Sequence, residues 1–172
     1  MSERPKKYCR ETRVIKTSRV FPFDTNNHNT LFGGKLMSYM DDVASISASR
    51  HARCDVVTAS TDSVDFLKPI NLDDSVCLQS YVTWVGRSSM EVFVKVVAEN
   101  LMTGERYLAA TSFLTFVALD SNGNLTEVPD IIPETEEEIR LHKNAVQRTK
   151  ERKQRRKDSQ ALAEALNIHV PW

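Results

Sequence analysis

Three stretches of the chain hold residue types that could act on a carbonyl group. The first is Asp24-Thr25-Asn26-Asn27-His28-Asn29-Thr30-Leu31-Phe32-Gly33-Gly34. Its Asp and Asn residues, following Pro22, mark a loop, and Gly33 and Gly34 open the periodic segment that follows. Backbone N–H groups in the first turn of a helix lack intrahelical acceptors and carry partial positive charge. Two glycines there let a substrate oxygen come close, which suits a carbonyl developing negative charge. An asparagine amide in the loop supplies a further donor or holds a water. The plain alternative is a tight turn before a helix.

The second is Asp41, two turns into that helix, among Leu36, Met37, Met40, Val43, Ala44, Ser47 and Ala48. So many apolar and small residues predict a helix over 34–52 that a sheet approaches closely and that is buried on more than one side. A carboxylate placed there either has a structural hydrogen-bonding task or does acid–base or nucleophilic chemistry. Asp42, one step round the helix, is its rival. The third stretch, Gly86-Arg87-Ser88-Ser89, offers a cation, two hydroxyls and a permissive backbone, which suit phosphate; a decorated β-turn is the other reading.

These residues need elements to hold them. Residues 12–20 are β-branched and basic and suit an edge strand. After Asp55 the period changes to two, with Val56, Thr58, Ser60, Asp62, Val64 and Phe66 on one side of the alternation. Further strands are expected over 75–85, 90–99 and 105–119, joined by short turns. One helix followed by four strands, without βα alternation, predicts an α+β antiparallel sheet wrapped around the helix rather than a doubly wound parallel sheet.

Composition narrows the function. Lys plus Arg and Asp plus Glu are 23 each in 172 residues. A net charge of zero argues against a surface built for nucleic acid or anionic membrane. No apolar run is long enough to span a bilayer, and the charged N-terminus is not a secretory signal. Cys9, Cys54 and Cys77 form no CxxC pair, so neither a zinc site nor a disulfide framework is indicated. Cys77 lies in an apolar run and reads as a buried filler. A cytoplasmic protein without a metal is expected. Residues 1–11 read as a frayed arm. Residues 134–166 lead with Glu134, Glu136, Glu137 and Glu138 into nine Lys or Arg between Arg140 and Lys157, which predicts an exposed helix, a solvated tail first of all, with a broken, partly docked or disordered one left open. A nucleic-acid or partner contact is the alternative for it.

Taken together, the order Asn26, six residues, Gly33-Gly34, six residues, Asp41, then Val57 to Ile70 and Val85-Gly86-Arg87-Ser88-Ser89, resembles the acyl-CoA thioesterases of the hotdog fold. The resemblance covers residues 12–132, which places a thioesterase domain at 12–132 and a charged helical tail at 133–172 that the domain can fold without. It implies an antiparallel sheet around one long central helix, and hydrolysis of fatty acyl-CoA to fatty acid and coenzyme A. Coenzyme A enters as part of the substrate and as product, and no cofactor is implied. Asn26 orients the carbonyl or the water, the helix N-terminus at Gly34 polarises the carbonyl, and Asp41 is general base or nucleophile. Gly33, Lys68, Arg87, Ser88 and Ser89 bind substrate. The resemblance further implies a homodimer with Asn26 and Asp41 from opposite protomers, commonly a trimer of dimers. Asn29 and Phe32 depart from the family's usual small residue, and small residue or His. Two other readings stay open: a hotdog dehydratase or isomerase, with His28 or His51 as candidates, and a non-catalytic acyl-CoA-binding protein.

Overall fold

The computed structural model describes residues 4–167. Residues 1–3 of the expected arm and 168–172 of the expected tail lie outside the described residues. The chain runs β1 (Lys6–Tyr8), α1 (Cys9–Thr12), β2 (Val14–Arg19), a 3-10 turn (Pro22–Asp24), α2 (Gly33–Ala52), β3 (Asp55–Phe66), β4 (Ser75–Val85), β5 (Ser89–Glu99), β6 (Arg106–Leu119), β7 (Asp130–Ile132) and α3 (Glu136–Ala165). Five strands make one antiparallel sheet in the order β2-β4-β5-β6-β3. β1 and β7 form a small parallel pair.

α2 lies across one face of this sheet because its apolar residues recur every three or four positions. Leu36, Met40, Val43, Ala44, Ser47, Ala48 and His51 are buried. On β4 the alternate residues Val76, Leu78, Ser80 and Val82 are fully buried. Ser80 donates its hydroxyl to the Val43 carbonyl (2.9 Å) and lies 2.8 Å from the Ser47 hydroxyl. Two serines and two alanines at the contact let the helix and strand approach closely. Enlarging one of them would overpack it by about 1–3 kcal/mol. The helix ends at Arg53, whose left-handed backbone (φ 57°) turns the chain into β3.

Four features depart from the sequence expectations. The N-terminal arm is ordered: Cys9 and Thr12 are fully buried, and the Thr12 hydroxyl accepts from the Val82 N–H. Cys9, rather than the half-buried Cys77, is the buried cysteine filler. The alternation of β3 is broken by two irregularities of pairing, between Thr58 and Ser60 and between Thr61 and Ser63. An extra residue in a strand sends the following side chains to the other face. Thr58 therefore reaches α2, whereas Asp62 bonds to Thr115 and Arg152 on the opposite face.

The fourth departure is α3, a continuous helix that lies on the face of the sheet away from α2. A capping box starts it: Glu138 donates its N–H to Thr135 Oγ1 (3.2 Å) and accepts from the Thr135 N–H (3.0 Å). Glu138 is almost fully buried against Arg13 (2.7 Å), and Ala145 is fully buried. Tyr81 on β4 donates to Glu137 (2.7 Å), which also pairs with Lys95 on β5. Charge content alone suggested a solvated tail. The sheet supplies the carboxylates that draw its arginines inward, and only the last turns are exposed on all sides.

Candidate active site

The loop before α2 is built around two side chains. Asp24 is nearly buried; its carboxylate accepts from the Phe21 N–H (3.3 Å), and its carbonyl accepts from the Phe32 N–H (2.8 Å). Asn26 folds the chain between them. Its Oδ1 accepts from the His28 N–H (2.8 Å) and the Thr30 N–H (3.3 Å), and its Nδ2 donates to Thr30 Oγ1 (3.0 Å). Asn26 is thus first a turn-forming residue. An amide nitrogen carries two hydrogens, so one donor remains for a ligand.

Phe32 is the N-cap of α2 and offers no side-chain acceptor to the helix. The amides of the first turn are left without a cap. A Cβ on Gly34 would lie 2.6 Å from the ring of Phe32, an exposed side chain that would have to swing aside. Asn26, Gly33, Leu36, Phe66 and Lys68 line an open groove of about 350 Å³ beside this helix start. The Lys68 ammonium sits 5.6 Å over the Tyr107 ring.

Asp41 is exposed, not buried. The side of α2 carrying Met37, Asp41, Asp42 and Ile46 is uncovered in a single chain, so the expectation of burial on several sides fails there. Asp41 Oδ1 accepts from Thr58 Oγ1 at 2.9 Å. Its rival Asp42 points to the other edge of the sheet and pairs with Lys16 on β2 (3.0 Å). Thr58 was quoted in the sequence only as a strand residue; its role depends on the strand's register, which no local pattern displays.

The turn holding Arg87, Ser88 and Ser89 lies nearer Asp41 than Asn26. Ser89 pairs with Val117, and Val117 pairs with Val57, the neighbour of Thr58. A Cβ on Gly86 would lie 2.7 Å from the Ser89 hydroxyl, so the turn is tight. The carbonyls of Arg87 and Ser88 accept from the Val128 and Ala118 N–H groups, which fixes the turn and leaves the Arg87 side chain exposed.

One chain therefore holds the expected site residues in two separate groups. Asn26, Gly33, Gly34 and Lys68 lie at the start of α2, while Asp41, Thr58 and the Arg87 turn lie further along. Eight residues of helix separate Gly33 from Asp41, about 12 Å. Asn26 and Asp41 share no hydrogen-bond partner among the described residues. His51 is fully buried and its Nε2 lies 2.8 Å from the Pro129 carbonyl, away from both groups; burial lowers its pKa. Among the described residues, no cluster of three His, Cys, Asp or Glu side chains could hold a metal ion.

A five-stranded antiparallel sheet wrapped on one long helix, with an asparagine loop at the helix start and a carboxylate two turns on, is the hotdog architecture. The Thioesterase superfamily model matches residues 28–105. The chain is 73% identical over 166 residues to an uncharacterized acyl-CoA thioester hydrolase of Bacillus subtilis (strain 168), covering 96% of both. It is similar to the crystal structure of an acyl-CoA hydrolase from Bacillus cereus, with a TM-score of 0.92 and 56% identity over 95% of this chain and 99% of that one. It is also similar to an acyl-CoA hydrolase from Staphylococcus aureus solved with butyryl coenzyme A, coenzyme A and coenzyme A disulfide (TM-score 0.90, 45% identity, 94% and 98% covered). The chain belongs to the acyl-CoA thioester hydrolases of the Thioesterase superfamily.

Proposed function

We propose that this protein hydrolyses fatty acyl-CoA to fatty acid and coenzyme A in the cytoplasm, with the residues that meet substrate inside the 12–132 domain. The observation that carries the reading is the Asp41 carboxylate, held by Thr58 on the open side of α2, with uncapped amides at the start of the same helix. The thioester carbonyl lies at the amides near Gly34, where the charge developing on its oxygen is stabilised. Asn26 orients the carbonyl or the attacking water through its remaining amide hydrogen. Asp41 has one oxygen held by Thr58 and the other free to take a proton from water or to attack the carbonyl itself. Arg87, Ser88 and Ser89 hold the phosphates of coenzyme A, with Lys68 and Gly33 contributing on the groove side.

The two groups are half-sites, completed by a second copy. β3 is an edge strand, twelve residues long, and the Asp41 side of α2 is uncovered beside it. A partner laid against this edge in antiparallel sense sets its Asn26 loop near Asp41. Two similarities support the reading. Solved variants of the Staphylococcus aureus hydrolase replace an asparagine, an aspartate and a threonine by alanine, at positions 15 and then 17 residues apart. Asn26, Asp41 and Thr58 have the same spacing. An apo-hexameric acyl-CoA thioesterase, 46% identical, supports assembly as a trimer of dimers.

The test is release of free thiol from acyl-CoA, followed by mixing of two inactive variants, Asn26→Ala and Asp41→Ala. Random mixing makes about half the dimers mixed, and one site of each mixed dimer receives both native residues, so about a quarter of all sites recover. Thiol release by the native protein with no recovery in confirmed mixed dimers overturns the shared site. Absence of thiol release overturns the hydrolase reading.

A further inference from the structure

The face of the sheet opposite α2 carries two carboxylates that hydrolysis does not use. Glu91 on β5 has no exposure; it accepts from Thr83 Oγ1 (2.9 Å) and is gripped by Arg148 through both oxygens (2.7 and 3.1 Å). Asp62 on β3 accepts from Ser60 Oγ and Thr115 Oγ1 (2.6 Å each) and from Arg152 Nη1 (3.0 Å). Arg155 holds both the Asp62 carboxylate and its backbone carbonyl, the latter at 2.8 Å. Arg148, Arg152 and Arg155 are four and three residues apart on α3, so one stripe of the helix meets both acids.

The two acids differ in what they hold. β5 is clamped between β4 and β6, and its register needs nothing from α3. β3 is bonded to β6 alone within its own chain, and Asp62 is the residue left out of the ladder at its second irregularity, between Thr61 and Ser63. The extra residue of a bulge is not held by strand pairing, whatever lies on the strand's other edge, so what fixes Asp62 is its own side chain and carbonyl. Four residues before Asp62, Thr58 makes the hydrogen bond to Asp41.

We propose that α3 is a positioning element for catalysis: Arg152 and Arg155, acting through Asp62, fix the bulged middle of β3 so that Thr58 stays within hydrogen-bond distance of Asp41. The proposal rests on the reading that Asp41 performs the chemistry. Asp62, Arg152 and Arg155 touch no substrate in it; they act through the strand. The helix that the sequence presents as a solvated appendage thereby becomes part of what makes the carboxylate competent.

The experiment measures kcat and KM by thiol release for the full-length Asp62→Asn, Glu91→Gln, Thr58→Val, Asp41→Asn and Asp62→Asn/Thr58→Val variants. A hydrogen bond to a charged group bounds the effect at roughly 10- to 150-fold. Asp62→Asn is expected to lower kcat about tenfold with KM unchanged within about twofold. Added to Thr58→Val, it should lower kcat by less than about twofold, because the bond it protects is already gone. Glu91 holds Arg148 and also meets Arg152 (3.4 Å), so Glu91→Gln should lower Tm but lower kcat less than Asp62→Asn does, because Asp62 keeps Arg155. A native kcat in Asp62→Asn, or full multiplication of its effect in the double variant, overturns the proposal. Should Asp62→Asn fail to fold, Arg155→Gln at the exposed end of the cluster must show the same kcat loss and the same dependence on Thr58; a native kcat there overturns it equally. Native turnover in Asp41→Asn would instead remove the reading beneath, whereas an inactive Asp41→Asn beside a native Asp62→Asn removes this inference alone.

Discussion

The sheet is covered on one face by α2 and on the other by α3, and the two helices are held by different physics. Under α2 lie Val76, Leu78, Val92, Val94 and Val96, all without exposure, and the contact is mainly apolar, with hydroxyls of Ser47, Ser80 and Thr58 as its polar members. Under α3 lie Glu91, Thr83, Thr115 and Asp62, met by arginines that also stack on rings, Arg148 over Phe113 (4.2 Å) and Arg152 over Trp84 (5.9 Å). Burial of apolar surface is non-directional: it holds α2 firmly and leaves the outer side of that helix free to carry Asp41. Ion pairs are directional, so the α3 face fixes which residue stands opposite which.

The largest way to break this contrast is Glu91→Ala. It leaves Arg148 and Arg152 short of a partner in a largely buried site and should cost about 3–5 kcal/mol in stability, read as a lowered midpoint of denaturant unfolding. Replacing both partners, Glu91→Leu with Arg148→Met, should recover most of that loss. No recovery would mean that the ion pair does more than satisfy itself. Removing residues 134–172 strips the cations from Glu91 and Asp62 at once, so the truncated chain should be much less stable, against the expectation of a dispensable tail.

On the α2 side, Asp41→Asn should lower turnover by at least ~10²-fold, the scale of a lost general base. Its stability should stay near native, because the side chain is exposed. Asp42→Asn should cost much less, and equal losses would show that the chemistry was assigned to the wrong carboxylate. Next in size, Arg87→Ala should weaken binding of acyl-CoA by roughly 10- to 150-fold, the worth of one charge-assisted contact. The effect should shrink with an acyl-pantetheine that lacks the nucleotide. An equal loss on both substrates would place Arg87 in the fold.

The smallest effect sharpens the comparison through pH. Burial by itself would raise the Asp62 carboxyl, but hydrogen bonds from Ser60 and Thr115 and the Arg152 cation hold it below the ordinary carboxylate range. Burial likewise opposes the ionised form of Glu137, and Lys95 and Tyr81 outweigh it. A carboxyl whose folded pKa lies below its unfolded value, about 4, adds stability above that value and gives it up as pH falls through the folded pKa. Docking of α3 should therefore weaken below about pH 4, seen as earlier hydrogen exchange in α3 than in α2. Loss of protection in both helices at one pH would show that the two faces unfold together.

The period of three to four in 34–52 and of two in the strands appears in the sequence because each follows from which side of one element is buried. The turns Asn71–Asp74 and Gly86–Ser89 are equally local. Asn26, Gly34 and Asp41 could be chosen by type and spacing. Thr58 could not, since its partner lies seventeen residues back on the helix that β3 packs against, and no local pattern says which strand residue will meet it. The arginines of α3 were visible as charge, but a charged helix reads as solvated until the acids that face it are known, and those lie 57 to 93 residues away in the chain.

The antiparallel sheet around one helix was written in the chain itself, because local periodicity and turn chemistry act over a few neighbouring residues. Packing was needed to show that Asp41 stands on the uncovered side of α2 in a single chain, that Thr58 meets it, that the Asn26 loop lies apart from it, and that α3 closes the second face. Each of these is set by which distant segments touch, and contact between distant segments is decided by the packing of the whole sheet.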